Sequence, residues 1–272
     1  MARRKSASAR RAQRQSRGAA LKIGLVAGLV IAMVVAVVLA SRAHRDLDAE
    51  TLCPTDPASD TVLLVDVTDP MNVAQRQDFL NQLERLKNSI PRYGRLTVVK
   101  VDSTADRLLQ PVIVRCNPGI AADVSAVSGN PKAVQAQHDT GFSQALDRAF
   151  ESLVRASGAE TSPILESVQS VALTQFQAHG NERRPRRLII ASDLLQNTRE
   201  ASFYRSLPDA DQFLASPAFR TARTDLGGVE VELWMLQRPD SGETQPRALP
   251  DLWTRIIEAQ GGTVIRVYRV SG

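Results

Sequence analysis

Short strand-like segments alternate with segments of helical periodicity from about residue 61 onward. Residues 61–67 form a continuous apolar run, as a strand buried on both faces would, and residues 188–192 indicate another buried strand; further strands are predicted over residues 96–101, 111–116, 229–236 and 263–270. Apolar residues at helical spacing occur between them, over residues 72–90, 132–156, 163–179 and 249–260. This alternation predicts an α/β domain with a doubly wound, mainly parallel sheet and helices on both faces.

A continuous apolar run precedes this domain. Residues 23–40 contain no charged or strongly polar side chain, and at about 1.5 Å per residue they nearly cross a hydrocarbon core of about 30 Å. We therefore predict a transmembrane helix over residues 23–41 that acts as a signal anchor, a linker over residues 42–60 and one domain over residues 61–272. A cleaved secretory signal is the alternative, but its apolar region is usually shorter.

The positive charge is concentrated before the apolar run. Residues 1–22 hold eight basic residues and no acidic ones, so the formal charge of +5 leaves −3 for the rest of the chain. The positive-inside rule places this tail in the cytoplasm and the domain on the far side of the cytoplasmic membrane, which is the periplasm in a Gram-negative cell. A domain near neutrality gives no reason to expect nucleic acid as a partner.

The chain has two cysteines, Cys53 before the first predicted strand and Cys116 at the end of the third. Two cysteines in one domain outside the cytoplasm often pair, so we predict a disulfide between them. Two separate thiols are the alternative.

Acidic residues follow two of the predicted strands. Asp66 ends the run LLVD, Asp193 ends LIIASD, and the segment TSPILESV between them opens a helix with Thr161 and Ser162. Ligands of parallel sheets bind beyond the carboxyl ends of the strands, where the strand order reverses. If the two strands are neighbours, these side chains meet there, and their hard oxygens suit Mg²⁺, Mn²⁺ or Ca²⁺.

In strand order, motif order and spacing, residues 60–270 resemble the von Willebrand factor A (vWA) family, whose metal-ion-dependent adhesion site has the pattern Asp-x-Ser-x-Ser, a loop Thr and a later Asp. The chain is also similar to a group of bacterial membrane-anchored proteins that share SPILE and SDLLQNT. The resemblance implies Mg²⁺, Mn²⁺ or Ca²⁺ as the cofactor. The residues it assigns to the metal are Asp66, Thr68, Ser162 and Asp193.

Two positions depart from the family pattern. Pro70 stands where the second Ser is expected, and Leu194 stands where Gly is usual. Asp69 could replace the missing hydroxyl ligand, but it could equally cap the helix that Pro70 begins. A degenerate site, whose carboxylates bond to neighbouring amides and hydroxyls without a metal, is therefore an equal alternative.

Three functions follow from these alternatives. The first is a membrane-anchored module that binds a protein partner, whose acidic side chain would complete the coordination of the metal. The second is a metal-free scaffold of an envelope complex that uses residues 117–131 and 194–225 as contact surfaces. The third, a metal-dependent phosphohydrolase with Asp66 as nucleophile, lacks the second Asp at position 68. We expect no enzymatic activity and no small-molecule substrate.

Overall fold

The computed structural model describes residues 24–35, 46–66, 71–101, 108–124, 129–154, 161–178, 184–204, 206–238 and 245–270. The chain divides into two units at residues 46 and 47. In the first unit, residues 24–35 form helix α1, which covers part of the predicted membrane span, and the predicted tail lies outside the described residues. Within the described ranges, no helix has both the length and the apolar character needed to cross a membrane.

The second unit is built on one six-stranded sheet, with the strand order β3-β2-β1-β4-β5-β6. Its strands are β1 Asp60–Val65, β2 Arg95–Lys100, β3 Pro111–Cys116, β4 Arg186–Ser192, β5 Val229–Leu236 and β6 Thr263–Val270. Every neighbouring pair is parallel except β2 and β3. The strand order reverses between β1 and β4, and this is the place where parallel sheets hold their ligands.

Helices lie between most of the consecutive strands. They are α2 Val73–Ser89, α3 Pro131–Gln137, α4 Gln144–Leu153, α5 Ile164–Val171, α6 Ala210–Leu214, α7 Pro217–Ala222 and α8 Leu249–Glu258. A π-helical turn, His138–Ser143, joins α3 to α4, another, Ala172–Gln177, extends α5, and Ala121–Asp123 form a short 3-10 turn. α2 begins at a capping box, in which Asn72 and Gln75 each accept a hydrogen bond from the other's backbone N–H.

Apolar cores lie on both faces of the sheet. In β1, Val62 and Leu64 face a core built with α5, α6, α7 and α8, whereas Leu63 and Val65 face a second core built with α2 and α4. All four side chains are buried, as the continuous apolar run in the sequence predicts. The prediction of a mixed α/β fold with a mainly parallel sheet and helices on both faces is confirmed.

The predicted disulfide is present and joins Cys53 to Cys116. It ties residues 47–59 to the edge strand β3, where the backbone N–H of Cys116 also donates to the carbonyl of Thr51 at 2.9 Å. Leu52 is buried in the second core. The second unit therefore begins at Leu47, within the segment predicted as a linker.

Candidate functional site

The parallel pairing of β1 and β4 brings two of the predicted site residues to one edge of the sheet. Val65 is in register with Ala191, and the backbone N–H of Asp66 donates to the carbonyl of Ala191 at 2.8 Å. Asp66 and Asp193 therefore leave their strands side by side at the carboxyl edge. Both side chains are buried, with 3% and 5% of their surface exposed.

Two buried hydroxyl groups bind the carboxylate of Asp66. Oγ of Ser162 donates to Oδ2 of Asp66 at 2.6 Å, and Oγ of Ser192 donates to the same oxygen at 3.0 Å. Backbone hydrogen bonds in both directions between Ser162 and Asn197 hold the start of the α5 segment against the loop after β4. Three of the four predicted residues thus come together. Thr68 lies outside the described residues.

Asp193 is bound by a cation that the sequence did not indicate. The guanidinium of Arg238 contacts Oδ2 of Asp193, and the backbone N–H of Leu195 donates to Oδ1 at 2.9 Å. Arg238 follows β5, which pairs with β4, so both residues emerge at the same edge. The side chain of Gln245 fixes this arrangement, since its Nε2 donates to the carbonyls of Asp193 and Leu236, both at 2.9 Å.

Burial and like charge perturb the ionisation of this cluster. Burial, followed by the neighbouring carboxylate of Asp66, raises the pKa of Asp193 to about 7, and the N–H of Leu195 acts in the opposite direction. The contact with Arg238 also favours the ionised carboxylate. Burial raises the pKa of Tyr204, whose hydroxyl accepts from Nη2 of Arg238 at 3.2 Å. Burial lowers the pKa of Arg238, while the charge of Asp66 opposes that change.

The loop after β4 has a strained backbone that its neighbours hold in place. Leu194 has φ of +64°, a left-handed conformation that costs a non-glycine residue roughly 1–2 kcal/mol. Its N–H donates to Oγ of Ser192 at 2.9 Å, and its carbonyl accepts from Nε1 of Trp253 at 2.7 Å. Glycine would adopt this backbone conformation without that cost.

The described carboxylate oxygens of the predicted metal site have partners within the chain. Oδ2 of Asp193 contacts Arg238, and Oδ2 of Asp66 accepts hydrogen bonds from both Ser162 and Ser192. No group of three or more His, Cys, Asp or Glu in the described ranges is arranged to hold a metal ion. Binding of Mg²⁺, Mn²⁺ or Ca²⁺ stays a prediction that nothing here tests.

Three members of the cluster were missed from the sequence: Ser192, Tyr204 and Arg238. Ser192 directly precedes Asp193 at the end of β4. Its position beside Asp66 could therefore have been anticipated once β1 and β4 were taken as neighbours. Arg238 could have been found by asking which charged residues follow β5 at the same edge. Tyr204 lies in an irregular segment and gives no comparable signal.

A pocket of about 460 Å³ lies on the same segment as Tyr204. Phe203 and Phe213 line it and pack edge to face, with their ring centres 5.2 Å apart. Ser202 and Thr221 are exposed lining residues. The pocket falls within residues 194–225, which the sequence indicated as a contact surface.

Comparisons with known proteins add little to this description. No protein-family profile matches the chain, and no curated protein matches it. The chain is distantly similar to a crystal structure of an aerotolerance-related membrane protein from Bacteroides fragilis NCTC 9343 with multiple mutations to serines. The TM-score is 0.38 at 10% identity, and the match covers 79% of this chain and 92% of that one. Such a score supports no argument about function, so membership of the vWA family stays a prediction.

Proposed function

We propose that the second unit is a vWA-like module that binds a protein partner beside the carboxyl edge of its sheet. The observation that carries this proposal is the pocket next to Tyr204, whose aromatic lining and polar rim suit an apolar anchor side chain. Its volume is in the range of ligand-binding cavities. The residues around it belong to the long connection between β4 and β5, where loops can vary without disturbing the sheet.

An enzymatic role has less support from the same site. Asp66, the only nucleophile that the sequence suggested, is 3% exposed and accepts hydrogen bonds from two serine hydroxyls. Burial and these two hydrogen bonds on Oδ2 disfavour attack by this carboxylate on a phosphate ester. The proposal therefore contains no catalytic step, and it does not depend on a metal.

The module is proposed to be tethered to the membrane by residues 23–41, with the domain outside the cytoplasm. The basic tail and the positive-inside rule support this orientation. The disulfide between Cys53 and Cys116 supports an oxidising compartment, because such bonds are rare in the cytosol.

Site-specific photo-crosslinking in the native membrane tests the proposal. A photoreactive residue at Ser202 or Thr221, which line the pocket, should form a discrete adduct with another protein. The matched control is the exposed Thr263 of β6, which should form none. Filling the pocket with Ala218→Trp should abolish the adducts. Adducts that arise equally from Thr263, or none from either pocket position, would overturn the proposal.

A further inference from the structure

We infer that Arg238 is the permanent cation of the site that Asp66 and Asp193 form at the carboxyl edge of the sheet. It takes the place that a divalent ion would have in the vWA family, which this chain resembles. The guanidinium contacts Asp193, and the charge of Asp66 also acts on it. Two buried carboxylates at one sheet edge repel each other and need a compensating positive charge. Arg238 supplies that charge from within the chain, so the site needs no metal. This inference goes beyond the proposed function, because it holds whether or not a partner binds.

The position of Arg238 is fixed by contacts on several sides. Its backbone N–H donates to Oε1 of Gln245 at 3.0 Å, and its guanidinium carbon lies 5.8 Å from the centre of the Tyr204 ring. Its side chain is 22% exposed, so the guanidinium is partly withdrawn from water. A guanidinium stays charged at every relevant pH and binds carboxylates through a rigid fork of donors. These properties suit a permanent structural cation.

A divalent ion would have to displace this guanidinium. Because both are cations and both need Oδ2 of Asp193, they exclude each other at this position. Shortening Arg238 to alanine removes the competitor and leaves the carboxylates of Asp66 and Asp193 beside the hydroxyl of Ser162. Such a set of hard oxygens is what Mg²⁺ and Mn²⁺ prefer.

Thermal unfolding of the purified full-length chain in detergent tests the inference. Excess Mg²⁺, Mn²⁺ or Ca²⁺ should leave the Tm of the native protein within about 1 °C of its value in EDTA, whereas saturation at 100 times Kd would raise it by roughly 5–10 °C. Arg238→Ala should lower the Tm by roughly 5–10 °C and gain a rise in excess Mn²⁺. The matched control, Arg220→Ala, removes an exposed arginine of α7 and should do neither.

A double-mutant cycle keeps the test independent of folding defects. In the Asp193→Asn background, Arg238→Ala should lower the Tm by less than half of the decrease that it causes in the native protein, because the partner charge is already absent. A rise in Tm of the native protein with a divalent ion would overturn the inference. Equal losses in the two backgrounds, or no response of Arg238→Ala to Mn²⁺, would overturn it as well.

Discussion

Replacing the buried Asp193 with asparagine should flatten part of the pH dependence of stability. Burial and Asp66 raise the pKa of Asp193 from its ordinary value of 3.8 to about 7 in the folded protein. Between these values the folded state holds a proton that the unfolded state has released. The free energy of unfolding therefore falls as pH rises, by about 1.4 kcal/mol per pH unit.

The size of the effect follows from the width of this window. Three pH units correspond to about 4 kcal/mol, and because Asp193 is 5% exposed, solvent screening reduces this figure little. The contact with Arg238 favours the charged form and reduces the effect. We therefore expect a loss of roughly 2–4 kcal/mol between pH 4 and pH 7 that Asp193→Asn does not show. Above the folded pKa the difference between the two proteins should be constant.

Denaturant unfolding of the full-length chain in detergent, from pH 4 to 8.5, measures this difference. Asparagine keeps a carbonyl oxygen for the N–H of Leu195, so the variant preserves the local hydrogen bond. Glu230→Gln is the control, since it removes an exposed carboxylate of β5 and should leave the slope unchanged. In Arg238→Ala, the decrease in the free energy of unfolding should extend to higher pH, because the cation that favours ionised Asp193 is absent. The free energy of unfolding of the native protein minus that of Asp193→Asn should fall as pH rises. A difference that is constant, or that grows with pH, would refute the argument.

Two further predictions concern the scaffold. Reduction of the disulfide, or replacement of Cys53 and Cys116 by alanine, should lower the free energy of unfolding by about 4 kcal/mol, because the bond closes a loop between residues 63 positions apart. Denaturant unfolding with and without reductant measures this change, and an unchanged midpoint would contradict it. The side chain of Lys87 is 5% exposed and pairs with Glu84 and Asp147. Replacing both Glu84 and Asp147 with neutral residues should lower the free energy of unfolding by roughly 3–5 kcal/mol, because it leaves the buried charge of Lys87 unpaired. Lys87→Met should lower it by about 1 kcal/mol or less, because the two half-exposed carboxylates that remain can be solvated by water. Equal decreases in urea unfolding would count against this.

The central strands β1 and β4 were predictable because burial on both faces leaves an unbroken apolar run in the sequence. The edge strands β3 and β6 are more exposed, yet their bounds were also predicted. β3, β5 and β6 begin and end at the predicted residues. The antiparallel direction of β3 could not be predicted, because a short strand has the same composition in either direction. The π-helical turn within the helix predicted over residues 132–156 was not predictable from local periodicity. It contains Gly141, where a side chain would meet Cδ1 of Leu52 at 2.8 Å. That contact joins segments far apart in sequence.

The candidate site was predictable only where its residues end strands. Asp66 and Asp193 follow apolar runs, and their proximity needs only that β1 and β4 be neighbours. The partner of Asp193 was not predictable from the same pattern, because Arg238 reaches it through the pairing of β4 with β5 and the hydrogen bonds of Gln245. A search for metal ligands also passes over arginine, which cannot coordinate a cation. The sequence therefore indicated the location of the site but not its charge balance.

The loop after β4 provides an independent reason to expect a site that is complete without a metal. Leu194 has a left-handed backbone that glycine would adopt without strain. Side chains from two elements fix that shape, since Ser192 accepts from the N–H of Leu194 and Trp253 of α8 donates to its carbonyl. The buried leucine side chain packs in the first core, which offsets the backbone strain. A loop held in this way does not require an ion to order it, as expected if Arg238 is the cation of the site.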